Sequence, residues 1–267
     1  MQIRASRLEE LVSVCEAAER ASSSVKPSSS RTHYAALYFS KAVLHGRSVC
    51  SLLGEIKARR YADVAGISAL ARTLIETHNV FLYLSESGLS PDELEFRVQL
   101  AQLNQAVDLI RISEALGWNS EEVLFWQRAV RDQARSSLET NPVLLALPEK
   151  ERAHLLQGRS PYLKNRRKAV GPVQPEVESA VYNLLSHNVH AYGLSSSYAG
   201  SATPAGSANT LFLAVEMSCI YLANLMLRYR AVRPRAIPPL SEDRMRTIRD
   251  TLALTHLTHW QQSWRVV

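Results

Sequence analysis

The sequence predicts an all-α protein, a single antiparallel bundle of about seven to nine helices over residues 1–267. Three observations carry this. Apolar residues recur at spacings of three and four along nearly the whole chain, and no segment alternates apolar with polar residues as a half-buried strand does. Residues that start and stop helices punctuate these stretches. The connections between long stretches are mostly short, which favours antiparallel neighbours. With 267 residues, 46% of them hydrophobic, the chain can bury a core without disulfides or metal. Only 10 Gly and 11 Pro with 21% charged residues exclude collagen and wholesale disorder.

The first helix is expected over 3–20, with Leu8, Leu11, Val12, Cys15 and Ala18 on one face. A Ser-rich flexible loop over 21–31 follows. Helices are then expected over 32–57 and 62–85. Ser90-Pro91-Asp92-Glu93 places a cap, a first-turn proline and an acid three residues on, so a fourth helix begins there. Gly117 ends it as a left-handed stop. Asn119 with Glu122 opens a fifth helix, which Asn141-Pro142 terminates. Five prolines in 142–175 indicate short helices joined by turns. A long helix over 175–192 ends at Gly193, and the Gly/Ser/Ala stretch over 194–209 reads as a lid or a connector. A very apolar helix over 210–229, a Pro-rich turn over 232–239 and a last helix from the Ser241 cap to about residue 260 complete the chain.

The net charge of +6 is unevenly spread: residues 1–60 carry +5, 61–150 carry −6 and 151–267 carry +7. Lys164, Arg166, Arg167 and Lys168 form the densest positive run. Such a balance points to RNA or another anionic ligand as partner, bound through flexible positive donors. Cys15, Cys50 and Cys219 lie in apolar helical contexts with no CxxC spacing, which indicates buried free thiols and a reducing cytoplasm. The first twenty residues carry charges throughout and no apolar run, so no signal peptide is read there. The longest apolar run, 211–227, is interrupted by Glu216 and Asn224. It is expected to be a buried helix, with no membrane partner, and its apolar face is the expected contact of a homodimer.

Glycine-rich nucleotide loops, a hydrolase elbow and the HExxH zinc motif are all missing from the sequence. What stands out is charge inside apolar helices. On the 64–84 helix, Leu70, Leu74 and Phe81 take one side, Val64, Ile75 and Leu82 another, and Val80 and Leu84 a third. Between them runs a narrow stripe of Ser68, Arg72, Glu76, Asn79 and Tyr83. A helix apolar on three sides is buried, so Arg72 and Glu76 are expected to pair inside. Breaking such a pair costs about 3–5 kcal/mol. On the 176–192 helix, Tyr182, Ser186 and His190 fall at i, i+4 and i+8 and form a ladder that could face the pair. Glu216, alone in its apolar helix, then looks for a donor in Arg72 or His190. An imidazole there has the range of an acid or base near neutrality. His187/His190 and His256/His259 have a metal-like i,i+3 spacing, yet no third ligand stands near either pair. No metal and no cofactor are expected.

The pairing of ALARTLIETHNVFLYL (69–84) with VYNLLSHNVHAYGL (181–194) resembles a bacterial all-helical family known as a domain of unknown function. Its marks are an R-x-x-x-E helix and a later Y-x-x-x-S-x-x-x-H helix, met here by Arg72 and Glu76 and by Tyr182, Ser186 and His190. The basic stretch over 155–171 is similar too, and the likeness covers about 60–200. It implies a helical fold and a shared polar constellation. The nearest functional analogy is the HEPN group of helical ribonucleases and toxin-like defence proteins, whose site is an Arg and a later His with four to six residues between them on one helix. The formal matches are Arg72-x5-His78 and Arg249-x6-His256. Two functions are therefore expected as alternatives. One is a non-catalytic binding or regulatory module in a defence or stress setting. The other is a metal-independent ribonuclease with His190 or His256 as base and Arg72 or Arg249 on the phosphate.

Overall fold

A computed structural model describes residues 2–59, 63–118, 120–163, 170–189 and 204–255. It is all-α, with no strand among the described residues. The helices are α1 (Gln2–Ser23), α2 (Ser30–Arg59), α3 (Val64–Ser85), α4 (Pro91–Ala115), α5 (Glu121–Glu139), α6 (Pro142–Leu145), α7 (Glu149–Leu155), α8 (Pro175–Val189), α9 (Pro204–Val232) and α10 (Glu242–Leu252), followed by a 3₁₀ turn at Ala253–Thr255. Among the described residues these are ten α-helices, slightly above the expected number, and two short ones, α6 and α7, fill the proline-rich stretch as its prolines indicate. The chain folds as two compact units, Met1–Phe81 with Val170–Val267, and Leu82–Ala169, where the sequence suggests one bundle.

In the first unit α1, α2 and α9 pack on one another, and α8 and α10 each pack on α9. Helix α9 is apolar almost all round, and Leu213–Ala223 are buried without interruption. By length and composition it is the one described helix that could cross a membrane, but 83% of its apolar window is buried inside the fold. That burial takes away the face on which a homodimer is expected. Where α2 passes α9, a Cβ on Gly46 would lie 2.7 Å from Cδ1 of Leu222 and 3.0 Å from Cγ2 of Val12, so a larger residue requires those side chains to shift. Two segments expected to be loops are partly helical. Residues 21–23 extend α1, and α9 begins at Pro204, so the connector expected over 194–209 loses its last six residues to helix. The turn after α1 is also anchored. Ser22 Oγ lies 2.8 Å from Tyr229 Oη, Arg233 donates to that same hydroxyl and to the Val25 carbonyl, and Phe39 stacks on the Tyr229 ring at 4.0 Å.

The second unit is a helical hairpin of α4 and α5 with α6 and α7 against it. Phe96, Leu100 and Leu103 of α4 meet Ala134 and Leu138 of α5, Leu144 of α6 and Leu155 of α7. The expected caps are in place: Ser90 Oγ accepts from Glu93 N at 3.1 Å, and Asn141 Oδ1 accepts from Val143 N at 2.9 Å. Gly117 stops α4 at φ +70°, with its N–H on the Glu114 carbonyl and the Trp118 N–H on that of Ser113. Asn119, expected as the next cap, lies outside the described residues.

Candidate functional site

The polar stripe of α3 meets α8 in the first unit. Arg72 Nε donates to Tyr182 Oη at 2.9 Å and to Glu76 Oε1 at 3.2 Å, and the same hydroxyl donates to Glu76 Oε1. The Arg72 guanidinium also lies 4.9 Å from the centroid of the Tyr182 ring. The i,i+4 spacing stacks Arg72 over Glu76, and Tyr182 bridges the two. Among the described residues, Nε is the only Arg72 nitrogen so engaged, and Glu76 uses only Oε1.

This trio corrects one expectation. The Arg72 side chain is 29% exposed and that of Glu76 46%, so the pair lies at the margin of the fold and not in a sealed interior. Periodicity gives the direction of a stripe but not the depth of what covers it. Burial is the largest influence on the Tyr182 hydroxyl and raises its pKa, with the hydrogen bond to Glu76 acting the same way. The hydrogen bond from Arg72 to Tyr182 is the main reason that the guanidinium pKa is raised.

Deeper along the same helices lies a second polar layer. Asn79 Nδ2 donates to Glu178 Oε1 at 3.0 Å, and Tyr221 of α9 donates to Glu178 Oε2 at 2.5 Å. His78 is fully buried, with Nε2–H on Asn224 Oδ1 at 2.9 Å and its ring edge-on to Tyr221 at 4.9 Å. Helix α3 thus reaches α8 through Arg72, Glu76 and Asn79, and α9 through His78. Glu178 and Tyr221 are absent from the sequence-based set. Their signal is faint: Glu178 lies one turn before Tyr182, and Tyr221 is a hydroxyl in an otherwise apolar run.

Other expected members do not join. Ser186 Oγ turns back to the Tyr182 carbonyl at 2.8 Å, the ordinary local bond of a helical serine. Glu216 is buried as expected, and among the described residues its donor is Arg4 of α1 at 2.5 Å, not Arg72. Arg4 is held as well by the Phe212 ring, 3.5 Å from its guanidinium carbon. The Arg72-x5-His78 match does not converge either, because Arg72 faces Tyr182 while His78 faces α9. Arg249 is exposed and pairs with Glu242. His190, His256, Lys164, Arg166, Arg167 and Lys168 lie outside the described residues.

The most buried ion cluster is one that the sequence reading misses, and it belongs to the second unit. Arg97, 1% exposed, donates through Nη1 to Glu86 at 2.9 Å and to the Tyr83 carbonyl at 2.6 Å, and through Nε to Glu93 at 2.8 Å. Its guanidinium also lies 4.5 Å from the centroid of the Tyr83 ring. Two carboxylates, a carbonyl and an aromatic face leave this arginine engaged as a structural group. The chain matches no family model, no curated protein and no solved structure.

Proposed function

We propose that this protein is a non-catalytic binding or regulatory module for an anionic ligand, RNA in the first instance, and that Arg72 is the residue that receives it. One observation carries the reading. Tyr182 and Glu76 hold the guanidinium by Nε alone, which leaves the two terminal nitrogens, the fork that grips phosphate or carboxylate in pairs, available at a part-exposed site. A pre-oriented fork loses less side-chain freedom on binding than a loose arginine does. The analogy to the HEPN group suggests a defence or stress setting.

The test is fluorescence anisotropy of a labelled single-stranded RNA with the full chain, in chelator, at two salt concentrations. Binding that weakens with salt and falls at least about fivefold in Arg72→Gln, with Arg72→Lys failing to restore it, supports the reading. Binding that is absent, or indifferent to Arg72→Gln, overturns it. Cleavage of the RNA that is lost in His190→Ala or His256→Ala replaces it with the ribonuclease alternative.

A further inference from the structure

The outward face of the second unit is not what an exposed helix should show. Helix α5 turns Leu124, Ala134 and Leu138 inward, while Phe125, Trp126 and Val130 stand 61%, 67% and 43% exposed on its other side. At the same end of the hairpin the last turns of α4 expose Ile112 and Leu116, and Trp118 follows at 63%. Trp118 is not on a loose loop, because its own N–H closes the helix stop on Ser113. Surface helices carry polar residues on such a face. With aromatic side chains presenting 150–250 Å² each when fully open, the exposures of the six sum to about 700 Å², and Phe125 and Trp126 adjoin edge to face at 5.6 Å.

We propose that this hairpin tip is a self-association surface, through which two copies of the chain join about a two-fold axis. The area is the first argument, since a standard stable interface takes about 800 Å² from each partner. Charge is the second. Around the tip, Asp108 and Arg111 neutralise each other at 3.1 Å. Glu122 precedes the aromatic pair and Arg128 follows it, and neither forms an ion pair among the described residues. Both lie three residues from Phe125. An antiparallel crossing of α5 on its copy with the axis beside Phe125 sets each Glu122 opposite the Arg128 of the other copy. A two-fold contact repeats every pairing, so this surface is complementary to itself. Acidic residues outnumber basic ones among the remaining tip charges, with Glu114, Glu121 and Glu122 against Arg128. That balance repels an anionic bilayer and favours a protein partner.

The experiment is sedimentation velocity on the full chain across a concentration series. The wild type is expected to run at twice 29.8 kDa. Trp126→Asp is expected to run as a monomer with an unchanged helical circular-dichroism spectrum, because the residue is exposed before association. Glu122→Arg should weaken the dimer by about tenfold, and adding Arg128→Glu to it should restore association, which a merely misfolded variant cannot do. A wild type that stays monomeric at every concentration overturns the proposal, as does a dimer indifferent to Trp126→Asp. A monomer that co-floats with phosphatidylcholine vesicles through Trp126 also overturns it, and assigns the tip to a lipid surface.

Discussion

Among single residues, two arginines separate the two meanings of an ion pair. Arg72 and Glu76 are part-exposed, so Arg72→Ala is expected to cost no more than about 1 kcal/mol in a denaturant titration. Arg97→Ala strands Glu86 and Glu93 against a buried ring, and is expected to cost about 3–5 kcal/mol in the same measurement. Equal costs for the two variants would show that exposure does not govern these pairs. The sequence flags Arg72 because its neighbours are apolar, and misses Arg97 although Phe96, Val98 and Leu100 surround it just as closely. A helical wheel does not record that residue 86 folds back over residue 97. The thiols add a pH dependence. Burial pushes Cys15 up to about 12 and Cys50 up to about 11, and raises Cys219 as well, all from 9.0. A folded pKa above the unfolded one means that the folded state holds its proton longer. The stability so contributed is intact below pH 9.0 and lost as pH rises towards 11 and 12. Denaturation midpoints measured from pH 8 upward (about one unit apart) should fall over that window, and fall less in Cys50→Ala.

For the elements, ends are more legible than partners. Ser90 and Gly117 bound α4 as read, because a cap oxygen and a positive φ are local demands that residue type answers directly. Ser90→Ala should therefore lower stability by about 1 kcal/mol. The start of α9 escapes such reading: Pro204 suits a first turn, but Gly206 and Ser207 weaken the helix signal that follows it. The reach of α2 over α9 is equally hidden, since nothing near Gly46 in sequence announces Leu222. Gly46→Val should cost about 1–3 kcal/mol by overpacking, read from a thermal or denaturant midpoint, whereas Gly54→Val, with open space at its Cβ, should lose much less.

At the scale of the molecule, the all-α class is fully legible because it follows from periodicity, and the division into two units is not, because it follows from which helices meet. The candidate site is legible in part for the same reason. Arg72, Glu76 and Tyr182 share two readable faces, while Glu216 finds its partner in Arg4, 212 positions away. Hydrogen exchange offers a whole-chain check: the slowest amides are expected along Leu213–Ala223 of α9, the segment buried on every side. The first unit is closed by both ends of the chain, whereas Leu82–Ala169 is continuous. During synthesis at about 5–20 residues per second, Arg4 emerges from the ribosome roughly ten to forty seconds before Glu216 exists. Through that interval α1 has α2 to pack on, but the face it turns to α9 waits uncovered, a client for whatever shields nascent chains, while every residue of the second unit is made before the first is complete.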